Sequence, residues 1–264
     1  MESNTGAAPS AIDLELLEEE CISICQEMIR IPSVNHGDGI GDERAIAEYV
    51  AKKLSEVGIA SELIVTGENR VNVVAKIVGR DQIRPGLVLH GHLDVVPANA
   101  EDWSVDPFAG VIKDGYLWGR GAVDMKDMDA MILATVRAWA RAKYQPERNI
   151  LLVFFADEEA GSEYGSRYLV ANRPEIFDGY SEAISEVGGF SVTITSGHRL
   201  YFIEGAQKGI NWLQLRAKGE AGHGSFINPK NAITKLSAAV ARIGGYEWPQ
   251  LETKTGAKFW SKIA

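Results

Sequence analysis

The stretch NILLVFFADEEAGS, residues 149–162, decides the fold. Its first half is an unbroken run of aliphatic and aromatic residues, the pattern of a strand covered on both faces. Its second half sets three adjacent carboxylates, Asp157, Glu158 and Glu159, directly after that strand and before the small pair Ala160 and Gly161. Three acids in a half-buried cleft repel one another unless a cation neutralises them. The competing reading is a solvated acidic loop, and the position at a strand end weighs against it.

Working outward, SELIVT (61–66), VNVVAKIVG (71–79) and GLVLHGH (86–92) are short, β-branched and bounded by glycine or charged turns, which predicts strands. Helical periodicity runs over residues 11–29, with Leu14, Leu17, Cys21, Ile24, Cys25 and Met28 on one stripe. Further helices are expected at Glu43–Val57, stopped by Gly58, and near 125–143 and 163–171. Strands alternating with helices predict an α/β fold, a mixed, mostly parallel sheet covered by helices. Beyond about residue 205 the texture changes. KGINWLQLRAKGE (208–220) reads as an exposed antiparallel strand and KNAITKLSAAVARIGG (230–245) as a surface helix. The expected division is therefore a main domain at 1–205 and a smaller, incomplete α+β domain at 206–264.

Composition narrows the function. The 264 residues are 45% apolar and 24% charged, with a net charge of −9, which excludes disorder and a membrane bundle and disfavours nucleic acid as a partner. LLVFFA (151–156) is too short to span a bilayer, and the N-terminus lacks a secretory signal pattern, so no membrane association and a cytoplasmic location are expected. Two cysteines exclude a disulfide scaffold and a four-thiolate zinc site; Cys21 and Cys25 read as small core residues on one helix face. There is no GxSxG elbow and no phosphate-binding glycine loop.

Three more clusters join the acidic triplet. In LVLHGHLDVVP (87–97), strand alternation points His90, His92 and Asp94 to one side. In DGYLWGRGAVDMKDMD (114–129), glycines lead tightly into Asp124 at a helix start, where a carboxylate is also a common cap. In ISEVGGF (184–190), Glu186 follows another short strand. Together His92, Asp124, Glu159 and Glu186 supply one imidazole and three carboxylates from four strand ends. That set suits zinc, with cobalt or manganese as substitutes. It exceeds what one catalytic zinc takes, and a carboxylate can bridge two ions.

GHLDVVP (91–97), DPFAG (106–110), DGYLWGRGAVDMK (114–126), ADEEAGS (156–162), AGHGS (221–225) and NAI (231–233) closely resemble the signatures of peptidase family M20, the dinuclear zinc hydrolases that include aminoacylases, desuccinylases, carboxypeptidases and carnosinases. The resemblance runs from about residue 30 to 236. It implies a zinc-exopeptidase-like main domain and a second segment that is part of a lid and dimerisation domain. It also implies hydrolysis of an amide bond in a small peptide or N-acyl amino acid, with two zinc ions. His92 and Glu186 then correspond to ligands of one zinc, Asp124 to the bridging ligand followed by a cis peptide, and Glu159 to a ligand of the second. Asp94 corresponds to the residue that fixes His92, and Glu158 to the general base acting on the bridging water. His223 corresponds to the group that stabilises the oxyanion, often across a homodimer interface. Two departures stand out. Val187 follows Glu186 where many relatives have glycine. The second zinc's final histidine, which the family draws from a segment after the lid, has no counterpart among His36, His90, His92, His198 and His223. The alternative expectation is a truncated, catalytically incomplete metal-binding fragment.

Overall fold

The computed structural model describes residues 12–186, 188–209, 211 and 213–263. The chain divides into two compact units, Met1–Glu186 and Val187–Ala264. The first contains α1 (Leu14–Ile29), the short pair β1 (Asn35–Gly37) and β2 (Ile40–Gly41), α2 (Arg44–Ser55), β3 (Ser61–Gly67), β4 (Arg70–Ile77) and β5 (Gly86–His92). It continues with β6 (Val111–Lys113), β7 (Tyr116–Trp118), α3 (Lys126–Arg141), β8 (Ile150–Phe155), α4 (Ser166–Asn172) and β9 (Tyr180–Ile184). The second unit holds β10 (Gly188–Thr195), β11 (His198–Ile203), α5 (Ala232–Gly244) and α6 (Lys254–Ile263).

Five strands form the main sheet in the order β3-β4-β8-β5-β9. It is mixed. β3 to β4 and β4 to β8 are antiparallel, whereas β8 to β5 and β5 to β9 are parallel. β8 is central and every one of its residues is buried. Alternation along it explains why it has no polar position: Ile150, Leu152 and Phe154 pack with α1, α2 and α3, while Leu151, Val153 and Phe155 pack with Leu169 of α4 and Ile176 on the other face. Helices thus cover both faces, as the unbroken apolar run requires.

Local chemistry sets the boundaries. Asp13 caps α1, its Oδ1 accepting from the Leu16 amide. Gly58 takes a positive φ of 77° just after α2, the left-handed position a helix stop needs. Asp114 and Gly115, both with positive φ, form the two-residue turn between β6 and β7. Lys126 at the start of α3 is fully buried, and its Nζ donates to the Met28 and Ile31 carbonyls, each at 3.0 Å, which ties α3 to the end of α1.

In the second unit, β10 and β11 form an antiparallel hairpin. Asn231 caps α5 by accepting from the Ile233 and Thr234 amides. The strand expected at 208–220 does not form among the described residues there. Alternation of side chains supplies the faces of a strand, but a strand also needs a hydrogen-bonding neighbour, and no ladder includes the described residues of this segment. No helix among the described residues is long and apolar enough to cross a membrane.

Candidate metal centre

His92 is the last residue of β5, beside Phe155 at the end of β8. The parallel pairing brings their carboxyl ends to one edge, where open α/β sheets place ligands. The chain then bends across: Leu93 donates to the Phe155 carbonyl, and Val95 and Ser33 pair through a 3.0 Å bond. This tethers the segment carrying Asp94 to the loop carrying Asn35.

The His92 ring is 2% exposed and held at both nitrogens. Nδ1 lies 2.9 Å from the Asp94 backbone carbonyl, which can only accept, so Nδ1 carries a proton. Nε2 faces a ring of acids: Asp124 Oδ1 at 3.0 Å, Glu186 Oε2 at 3.3 Å and Glu158 Oε2 at 3.9 Å. One ligand atom each from His92, Asp124 and Glu186 falls within 4.8 Å of the others. Burial alone would lower the His92 pKa, but hydrogen bonds that Asp124, Asp94 and Glu186 accept from the ring carry it far above the ordinary range. The hydrogen bond with His92 in turn holds Asp124 below the usual carboxylate value.

That arrangement fits a divalent cation on its own chemistry. With Nδ1–H engaged by a carbonyl, neutral His92 presents the Nε2 lone pair to two carboxylate oxygens, the orientation a ligating imidazole needs. A proton on Nε2 would have to leave before an ion bound there.

Asp94 faces His92 with both its carboxylate and its own carbonyl, and it also holds the acidic loop. Its carboxylate stands 3.5 Å from Nδ1, farther than its own carbonyl. The carboxylate oxygens also accept from the Glu158 amide at 3.0 Å, the Glu159 amide at 3.1 Å and Asn35 Nδ2 at 2.8 Å. Asp94 therefore anchors the backbone of the acidic loop. Glu158 points toward Nε2 with its side chain 47% exposed, and burial of the remainder raises its pKa. Glu159 lies outside the close group of His92, Asp124 and Glu186; burial first, then Asp124, push it up to about 7. A cis peptide joins Asp124 to Met125, whose Sδ accepts from the His92 amide at 3.2 Å. His223 belongs to the second unit, with Nδ1 2.8 Å from Ser225 Oγ and its ring edge-on to Phe226.

The sequence model of peptidase family M20/M25/M40 matches residues 88–263, two thirds of the chain. The chain belongs to this family. An uncharacterized metallohydrolase of Methanocaldococcus jannaschii is 35% identical over 231 residues, covering 82% of this chain and 53% of that protein. The N-fatty-acyl-amino acid synthase/hydrolase PM20D1 of Mus musculus is 30% identical over 264 residues, covering 94% of this chain and 50% of that protein. Human carnosine dipeptidase 1 has a similar fold, with a TM-score of 0.56 at 23% identity over 65% of this chain and 39% of that one. The chain spans about half the length of the curated relatives it matches.

The M20/M25/M40 match includes His92, Asp94, Asp124, Glu158, Glu159, Glu186 and His223. It leaves out Asn35, Glu43 and Arg70, buried polar residues that sequence reading did not single out. The available signal was weak: Arg70 is an arginine opening the apolar strand RVNVVAKI, and Asn35 is one polar residue among many in PSVNHGDGIGDE (32–43).

Proposed function

We propose that this chain carries the catalytic centre of a zinc-dependent hydrolase that cleaves an amide bond in small peptides or N-acyl amino acids. The observation that carries the reading is the convergence of Asp124, Glu186 and Glu158 on one nitrogen of His92. His92, Asp124 and Glu186 would hold one ion, and Glu159, with Asp124 shared, would contribute to a second. Bound there, a divalent cation supplies Lewis acidity toward a carbonyl and makes nearby water more acidic. Cobalt or manganese would substitute for zinc, as the nitrogen and oxygen donors allow.

The chain's own residues supply the remainder. Glu158 sits beside the donors with its carboxylate half open to solvent, so Oε2 can take a proton from a water at the centre and pass it to the departing amine. Asp94 fixes the direction of Glu158 through the backbone. His223 would stabilise the oxyanion, and residues 206–264 would form part of a lid and homodimer contact. The mouse relative's name supports the N-acyl amino acid class.

The test is turnover of a dipeptide and N-acyl amino acid panel by the zinc-loaded full-length protein, with Glu158→Gln beside the wild type. Loss of about 10²- to 10⁴-fold in kcat is expected; a fully active variant overturns the assignment of the base. A second reading is metal binding without turnover, favoured by the position of Glu159 outside the close group of His92, Asp124 and Glu186. Zinc calorimetry on this chain separates them, since two tight sites with turnover eliminate the second.

A further inference from the structure

We infer that Arg70 is a positioning residue for the catalytic loop, acting through Asp157 and Asn35 on Asp94 and so on the backbone of Glu158. The inference rests on the reading of Glu158 as the proton carrier.

Arg70 is 1% exposed at the start of β4. Its guanidinium lies between two carboxylates, with Nε 2.9 Å from Glu43 Oε2 and Nη2 2.6 Å from Asp157 Oδ1. The space is shaped for it. A side chain at Gly41 would collide with Nη1, and the Tyr164 ring lies 5.3 Å from Cζ. Glu43 and Asp157 are buried with it. Asp157 accepts a hydrogen bond from Arg70, whereas Glu43 faces it by proximity without hydrogen-bond alignment, and a removed partner leaves a buried charge uncompensated.

Asp157 transmits this to the site. It takes a positive φ of 63°, a left-handed conformation that costs a non-glycine residue energy and that its surroundings must enforce. Its side chain accepts from Arg70, from Asn35 Nδ2 at 2.9 Å and from the Tyr164 amide at 3.1 Å. The turn at Asp157 is what sends the next two amides toward Asp94. Asn35 closes the circuit, because its one amide nitrogen donates to Asp157 Oδ1 and to Asp94 Oδ2 at 2.8 Å. A continuous buried path thus runs from Glu43 through Arg70, Asp157 and Asn35 to Asp94, which holds the Glu158 and Glu159 amides. None of these groups except Asp94 lies within hydrogen-bonding reach of His92, so Arg70 acts only through others.

Hydrogen exchange on the metal-free chain reads this path directly. In Arg70→Met, the amides of Glu158 and Glu159 are expected to exchange at least about tenfold faster while β8 keeps its protection. Wild-type exchange at those two amides overturns the inference. Should Arg70→Met fail to fold, Asn35→Ala decides, since it cuts the path one link later and leaves the Arg70 ion pairs in place. It is expected to give the same local loss, and wild-type exchange in it likewise overturns the path. In the metal-loaded protein, kcat should fall at least about tenfold with KM within about twofold, the split of a lost orientation rather than lost binding. Faster exchange in Arg70→Met together with full activity in Glu158→Gln would leave the positioning path standing and remove the reading of Glu158.

Discussion

Glu158 and Glu159 share one anchor, yet they face different surroundings. Both amides bind the Asp94 carboxylate, but only Glu158 brings an oxygen within 4.0 Å of His92 Nε2. The proposed function asks for a base that stands beside the donors without replacing them, and a one-residue offset along a tightly turned loop gives that separation. His92 is the single nitrogen donor of its group, so His92→Ala is expected to weaken zinc binding by about 100-fold or more, read by competition with a chelating dye. Cys25 illustrates the same dependence on surroundings without chemistry. Burial pushes its thiol from 9.0 up to about 12. The unfolded thiol ionises first, so its contribution is fully present below pH 9 and is lost as pH rises from 9 toward 12, by about 4 kcal/mol over the window. Denaturant unfolding of wild type and Cys25→Ala across that range should give diverging curves; parallel curves contradict the shift. At this scale the grouping of His92, Asp124 and Glu186 was legible in the sequence because such residues recur at strand ends within short motifs. Arg70, Asn35 and Glu43 were not, because their partners lie far along the chain: Asp157 is 87 residues from Arg70 and 122 from Asn35. No local window contains such a pair.

Among the elements, β8 carries the fold and its run of apolar residues made that visible. Leu152 is completely buried between β8 and the helices of one face, so Leu152→Ala is expected to cost about 2 to 5 kcal/mol in denaturant unfolding with an unchanged m value. A loss under about 1 kcal/mol would mean that the site collapses around the vacancy. The long helices and the strands β3, β4, β5 and β8 were readable from period and punctuation. The two-stranded pairs β1 with β2 and β6 with β7 are shorter than any period can register, although Asp114 and Gly115 are a hairpin signal in their own right. The misread segment at 208–220 shows the converse. Leu213 and Leu215 alternate as a strand would, but both are exposed and no strand among the described residues receives them.

For the whole molecule, the two units are divided after Glu186, a residue of the candidate centre, whereas composition alone changes only near residue 205. The hairpin of β10 and β11 lies between these positions and resembles the sheet-forming sequence before it, which is why texture did not mark the division. A cation held by the folded centre and not by the unfolded chain should stabilise the protein by about 2.7 kcal/mol at a hundredfold excess over Kd, or about 5 to 10 °C in Tm for a unit of this size. Calorimetric scans with zinc and with a chelator check this, and coincident scans would speak against a cation at the centre.

Asn35 has a consequence for the ageing of the protein. Its amide nitrogen is the one positive edge between Asp94 and Asp157, and side-chain amides hydrolyse slowly to acids. Such a change would keep the shape of the residue and reverse its sense, setting a third anion where a donor had separated two. The same burial that makes the amide indispensable also shields it from water, so deamidated molecules should accumulate mainly from those that have opened. Asn35→Asp reproduces the aged form directly, and a sample stored in the unfolded state should approach it soonest.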